Sequence, residues 1–107
     1  MITEEEVQLA VDFLRDNAED ASKCKAERIY LEEFRKSLKA MLMSNHKSLP
    51  VSAQEREAYN SKEYKEHLVA IKIAVKADEK HRFMREAAKA KIEAWRSMNA
   101  NMRAVTL

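Results

Sequence analysis

The chain has 107 residues, of which 36% are charged, and it contains no Gly, one Pro and one Cys. This composition predicts a single domain of long helices in a reducing compartment, and it excludes Gly-rich phosphate loops and an intramolecular disulfide. Three Phe, three Tyr and one Trp can cover a thin helix–helix seam but not a thick core, so we expect other copies of the chain to supply further burial.

The first predicted helix runs from about residue 4 to about residue 43. Thr3 and Glu6 have the spacing of a capping box, which stabilises a helix start. Apolar residues then recur at helical spacing, although this spacing slips after Cys24, which we expect to be a small core residue. The predicted stripe consists of Val7, Val11, Leu14, Ala18, Ala21, Cys24, Leu31, Phe34, Leu38 and Met41.

Pro50 marks the one break, because proline cannot continue a helix. We predict a loop over residues 44–52 and a short helix over about 53–59, opened by a capping box of Ser52 and Glu55. A long helix follows over about 61–104, and its spacing slips between Leu68 and Ala77. The stripe predicted on it consists of Tyr64, Leu68, Ile71, Ala74, Ala77, His81, Met84, Ala88, Lys91, Trp95, Met98 and Met102.

These elements predict an all-α fold in one domain, residues 1–107. Two long antiparallel helices form a helical hairpin, joined by a loop and a short helix, and the chain oligomerises through coiled-coil-like or bundle packing. Because the spacing of the apolar residues is irregular in both long helices, we expect crossing helices with alanine-rich contacts and not a strict heptad zipper.

Few residues are arranged for chemistry. Asp78 with His81, and Glu63 with His67, have helical spacing for two metal ligands, but no second such element completes a site. We expect His67 and Glu63 to form an exposed pair. No Ser or Cys has a His and a carboxylate at hand, so we expect a non-enzymatic protein without metal or cofactor.

The acidic start and the short apolar run at residues 68–75 predict neither export nor a membrane span.

Charge is unevenly distributed, although the net charge is only +2. Residues 1–21 hold seven acids and one base, and the remainder has a balance of +8. A basic C-terminal half can bind nucleic acid, but acids at a helix start and bases at a helix end also complement the helix dipole. The two interpretations remain open, because an acidic N-terminus beside the basic end would neutralise it.

The basic segment of the last helix supplies the candidate binding residues. They are Lys80, Arg82, Arg85, Lys89, Lys91, Trp95 and Arg96. Proteins that bind single-stranded nucleic acid typically combine basic side chains, which contact the phosphates, with aromatic side chains, which stack on the nucleobases. However, Trp95 also falls on the apolar stripe, where it would contribute to a core or an interface. The tail over residues 98–107 keeps apolar spacing and is a second candidate for helix-on-helix binding. Alternatively, these residues complete the hairpin against Val7 and Val11.

Three stretches, AERIYLEEFRKSLKAMLM (26–43), EREAYNSKEYKEHL (55–68) and IEAWRSMNANMRA (92–104), resemble small all-helical proteins of tailed bacteriophages. Such proteins are commonly encoded in the early or recombination region of the genome. The resemblance implies a phage protein of the bacterial host cytoplasm, and it carries over no site residues.

The leading hypothesis is therefore a non-enzymatic phage accessory protein. It would form a homo-oligomer and bind a protein of DNA recombination, replication or host defence. One alternative is direct binding of single-stranded DNA through the basic last helix. The other is a purely structural homo-oligomer.

Overall fold

The computed structural model describes residues 1–106, without the side chain of Thr106, and these residues form helices and no strand. The predicted all-helical class is confirmed. The elements are α1 (Glu4–Asp16), α2 (Ala18–Met43), a 3₁₀ helix (Ser44–His46), α3 (Val51–Tyr59) and α4 (Lys62–Thr106). Leu107, the last residue of the predicted tail, lies outside the described residues. A membrane-spanning helix needs a long apolar stretch, and the described helices contain none.

The start of α1 is fixed by the predicted capping box. The Thr3 hydroxyl accepts a hydrogen bond from the backbone N–H of Glu6 at 3.2 Å, and the Glu6 carboxylate accepts one from the backbone N–H of Thr3 at 3.0 Å. Two of the N–H groups that a helix start leaves without partners are thereby satisfied.

Asn17 divides the predicted first helix into α1 and α2. Its backbone has φ −88° and ψ −5°, which lies at the edge of the helical region. Its N–H still bonds to the Phe13 carbonyl at 2.9 Å, and its own carbonyl accepts from the N–H of Ala21 at 3.0 Å. The interruption is therefore local. Asparagine favours it because the short amide side chain bonds readily outside the regular helix.

The short helix begins earlier than its predicted capping box. Pro50, with φ −57° and ψ 155°, precedes the first helical residue, Val51, and no side chain caps this start. The predicted box of Ser52 and Glu55 is therefore wrong, because Ser52 already lies in the first turn. At the start of α4 the Ser61 hydroxyl caps the N–H of Tyr64 at 3.2 Å and donates to the Ala58 carbonyl at 2.7 Å.

The chain divides into two compact units. In each unit the order of the contacts along the two paired helices is antiparallel. The first unit joins residues 1–22 to α4 from Glu79 onward, with Asn17 bonded to His81 and Val7 near Trp95. The second unit, Lys23–Asp78, joins most of α2 to α3 and the first part of α4.

The second unit has a small core at the turn of the chain. Leu42, Ala58 and Tyr64 are buried there, and Ala58 has no exposed surface at all. The rings of Tyr59 and Tyr64 meet edge to face at 5.1 Å between centroids, a favourable aromatic geometry. This cluster joins α3 to the end of α2 and the start of α4, because the small side chain of Ala58 admits close approach of its neighbours.

Along α4, residues that are not exposed recur at intervals that alternate between three and four residues. The predicted change of spacing between Leu68 and Ala77 is therefore wrong. The seam positions of α4, none of them exposed, are Tyr64, His67, Ile71, Ala74, Asp78, His81, Arg85, Ala88, Ile92, Trp95 and Asn99. Four residues of the predicted stripe are exposed instead: Leu68, Met84, Lys91 and Met102. Polar side chains also occupy seam positions, and of these the predicted stripe contained His81 but not His67, Asp78, Arg85 and Asn99.

The same alternation holds from α1 into α2 as far as Leu31. Its seam positions are Val7, Ala10, Leu14, Asn17, Ala21, Cys24, Arg28 and Leu31. Val11, Ala18 and Met41, which belong to the predicted stripe, are exposed, and the predicted slip after Cys24 does not occur. Arg28 fills the position that appeared to be a gap, because its side chain turns into the seam.

Little bulky apolar surface is buried. In the part of the chain that the structure describes, the buried apolar residues are Ala10, Ala21, Leu42, Ala58, Tyr64, Ala74 and Ala88. Five of these are alanine, and each contributes little hydrophobic stabilisation, which scales with the apolar area removed from water. The small core around Leu42 should therefore carry a large share of the stability.

Replacing Leu42 by Ala tests how much of the protein's stability the small core around Leu42 supplies. We expect the free energy of unfolding to fall by about 2–4 kcal/mol, because the substitution leaves a cavity beside Ala58 and Tyr64. Urea unfolding followed by circular dichroism measures the loss. Met41→Ala is the matched control, since the Met41 side chain is 58% exposed. Equal losses in the two variants would contradict the assignment of the core.

Candidate interaction surfaces

Polar side chains in the seams are paired. In the second unit, Arg28 donates from a guanidinium nitrogen to Asp78 Oδ2 at 3.0 Å and from Nε to Glu32 at 3.0 Å. Asp78 is a buried carboxylate, and the cost of burying a charge is offset only by such a partner. The ion pair of Arg28 and Asp78 therefore fixes which part of α2 faces which part of α4 in this unit.

Both seam histidines also have partners. His67 Nε2 lies 2.7 Å from the Leu31 carbonyl oxygen, and its ring contacts Phe34 with 5.7 Å between centroids. In the first unit, the amide nitrogen of Asn17 lies 3.0 Å from His81 Nδ1. The expected exposed pair of His67 and Glu63 is therefore wrong, because His67 is half-buried against α2.

These contacts engage the residues considered for metal or acid–base chemistry. Asp78 pairs with Arg28 and His81 with Asn17, so the two residues of the proposed pair face different partners. Among residues 1–106, no group of three or more His, Cys, Asp or Glu side chains is placed to hold a metal ion. Their arrangement is that of a structural seam.

The seven candidate binding residues fall into two sets. Lys80, Arg82, Lys89, Lys91 and Arg96 are exposed. Arg85 and Trp95 are half-buried and occupy seam positions of α4. The last helix thus carries an exposed basic surface, while the indole lies at the seam and is only partly accessible.

Part of this charge is neutralised within α4 itself. Arg82 forms ion pairs with Glu79 and Glu86, and its hydrogen bond to Glu79 raises the pKa of Arg82. Arg96 pairs with Glu93 at 3.3 Å. Lys80, Lys89 and Lys91 make no ion pair with any side chain that the structure describes. These three lysines are the most available of the predicted basic residues.

Trp95 lies beside acidic side chains of α1. It lines a shallow depression of the first unit together with Glu4, Glu5, Val7 and Gln8. It also lines a second depression together with Glu93, Arg96 and Arg103, where Glu93 pairs with Arg96 at 3.3 Å. Acidic side chains therefore border the indole in both depressions, and neither is a strongly basic site for phosphate.

Two apolar grooves run along helix pairs, one in each unit. In the second unit the groove, named here the Cys24 groove, is lined by Cys24, Leu31, Ala70, Ile73, Ala74 and Ala77. In the first unit a groove is lined by Leu9, Ala10, Phe13, Met84, Ala87 and Ala88. Sequence periodicity did not identify either groove as a surface, because several of their residues belong to the predicted stripe.

No protein-family model, curated protein or solved structure matches the chain. Its function is therefore inferred from the surfaces described above.

Asp78→Asn tests the buried ion pair. We expect the free energy of unfolding to fall by about 1–3 kcal/mol, because the Arg28 guanidinium loses the charge that offsets its partial burial. Chemical denaturation measures the effect. Glu93→Gln is the matched control, since its ion pair with Arg96 is largely exposed and should contribute less than about 0.5 kcal/mol. Similar losses in both variants would refute a structural role for Asp78.

Proposed function

We propose that this chain is a non-enzymatic binding protein that self-associates and acts through its exposed helical faces on a protein partner. The observation that carries the proposal is the set of large apolar side chains that stay exposed in both units. Covering such side chains removes apolar area from water, which is the main favourable contribution to most protein association.

The apolar part of this surface supports self-association through bundle-like packing of helical hairpins. Leu9, Ile29, Val69, Ile73 and Phe83 are large apolar side chains that remain exposed.

The exposed basic surface of α4 supports a second, acidic protein partner. Lys80, Lys89 and Lys91 are exposed, and none of the three forms an ion pair within the described residues. We extend the proposal to a bacteriophage accessory protein of the host cytoplasm, acting on recombination, replication or host defence. The support for this setting is the resemblance of residues 26–43, 55–68 and 92–104.

Charge reversal tests the role of the basic surface. We expect Lys89→Glu combined with Arg96→Glu to lower retention of the partner from bacterial lysate at least about tenfold, because repulsion replaces attraction at two points. Quantitative mass spectrometry of the captured proteins gives the readout. Lys36→Glu with Lys47→Glu changes the net charge equally on exposed residues outside α4. Unchanged retention by the α4 variant would refute the assignment.

Direct binding of single-stranded DNA is the second candidate function. The observation in its favour is the exposed Phe83 ring, over which the Arg82 guanidinium lies at 4.7 Å, a pair that can stack on a base. The acidic residues beside Trp95 argue against the neighbouring depression as a phosphate site.

A fluorescence anisotropy titration with a labelled oligonucleotide, run at several salt concentrations, decides this alternative. DNA binding requires that affinity fall with salt, and that Lys89→Ala reduce the slope of log K against log salt by about 0.7. Phe83→Ala should also weaken binding, through lost stacking. Absence of binding at low salt would exclude the alternative and leave protein partners or self-association alone.

A further inference from the structure

We propose that α1 opens from α4 as a unit, with its pivot at Asn17, and that it thereby controls access to the Trp95 side of α4. In the closed state, residues of the first two turns of α1 lie beside the indole. In the open state the α4 surface beneath α1 becomes accessible. The inference concerns the first unit, and it depends neither on self-association nor on the identity of a partner.

The apolar anchoring of α1 is weak. Ala10 is the single buried residue of this helix, and its side chain is only a methyl group. Val7, Phe13 and Leu14 are half-buried, and Leu9 is 63% exposed. Because hydrophobic stabilisation scales with the apolar area removed from water, little of it opposes the opening of α1.

The polar side chains of α1 bond within the helix and, among the side chains that the structure describes, not to α4. Gln8 donates to Asp12 Oδ1 at 2.9 Å, and Arg15 donates to the same oxygen at 3.3 Å. Such contacts persist when α1 opens, because both partners move together. The polar contact between the paired helices is that of Asn17 with His81, and it lies at the C-terminal end of α1.

Asn17 is suited to be the pivot. The regular helix is already interrupted there, and the contact of Asn17 with His81 can hold the start of α2 on α4 while α1 moves away. In the second unit, by contrast, the ion pair of Arg28 with Asp78 and the core around Leu42 hold α2 in place. Segments with few buried apolar contacts open more readily than the rest of a protein, which identifies α1 as the helix that opens first.

Opening of α1 uncovers one side of Trp95. The indole is half-buried, and Glu4, Glu5, Val7 and Gln8 line the depression beside it. Once α1 leaves, the indole loses these neighbours and becomes more accessible to solvent. Trp95 is the only tryptophan of the chain, so its fluorescence reports this change directly.

Hydrogen exchange of the full chain, resolved by residue, tests the opening. The 13 residues of α1 form a helix that is marginal in water by itself, so its amides exchange when it opens. We expect residues 8–16 to share one protection factor, at least about 100-fold below that of the α2 residues of the second unit. Protection equal to that of α2 would overturn the inference. So would protection that rises steadily from residue 8 to residue 16, because such a gradient indicates fraying from the chain end.

Acrylamide quenching of Trp95 fluorescence tests the control of access. Ala10→Asp places a carboxylate at the buried position of α1, and it should raise the quenching rate constant about twofold, because burying a charge favours the open state. Val11→Asp is the matched control, since it adds the same side chain to the same helix at a position that is 42% exposed. The control should leave the quenching of Trp95 unchanged.

Hydrogen exchange of the two variants completes the test. Ala10→Asp should remove the protection of α1 and keep that of residues 23–78, whose core does not include Ala10. Loss of protection in both regions would show that α1 does not open by itself. Unchanged quenching in Ala10→Asp would overturn the control of access, and equal quenching in the two variants would assign the effect to the added charge instead of the opening.

Discussion

A seam between two helices accepts polar side chains only when each finds a partner, and this constraint determines most of the structure. Asp78 is buried and requires the guanidinium of Arg28, while Asn17 and His81 meet across the other unit. A purely apolar seam of alanines could slide by a turn at small cost. Paired polar groups cannot, because a shift would leave a buried charge without its partner.

The alanine content of the seams explains why so much surface stays exposed. Small side chains let the helices approach closely, but they remove little apolar area from water, so bulky residues such as Leu9 and Ile73 remain on the outside. The same feature that lets the paired helices approach closely thus leaves apolar side chains exposed to water. These exposed side chains form the surface on which the proposed self-association and partner binding depend.

The basic surface of α4 is less concentrated than its sequence implies. Glu79, Glu86 and Glu93 recur every seven residues, and they pair with Arg82 and Arg96 at intervals of three or four. What remains available is a small number of lysines and an exposed phenylalanine. Such a surface is better suited to recognition of a protein than to tracking a long phosphate backbone, which requires many contacts.

Sequence alone determined the helical class, the capping box at Thr3 and the break at Pro50, because each depends on contacts within a few residues. It could not determine which face of each helix is buried. His67, Asp78 and Arg28 look like surface residues in a linear chain, and Leu68 and Met84 look like core residues. Their places are reversed because buried polar groups are tolerated only with partners distant in sequence, and only the tertiary structure brings those partners together.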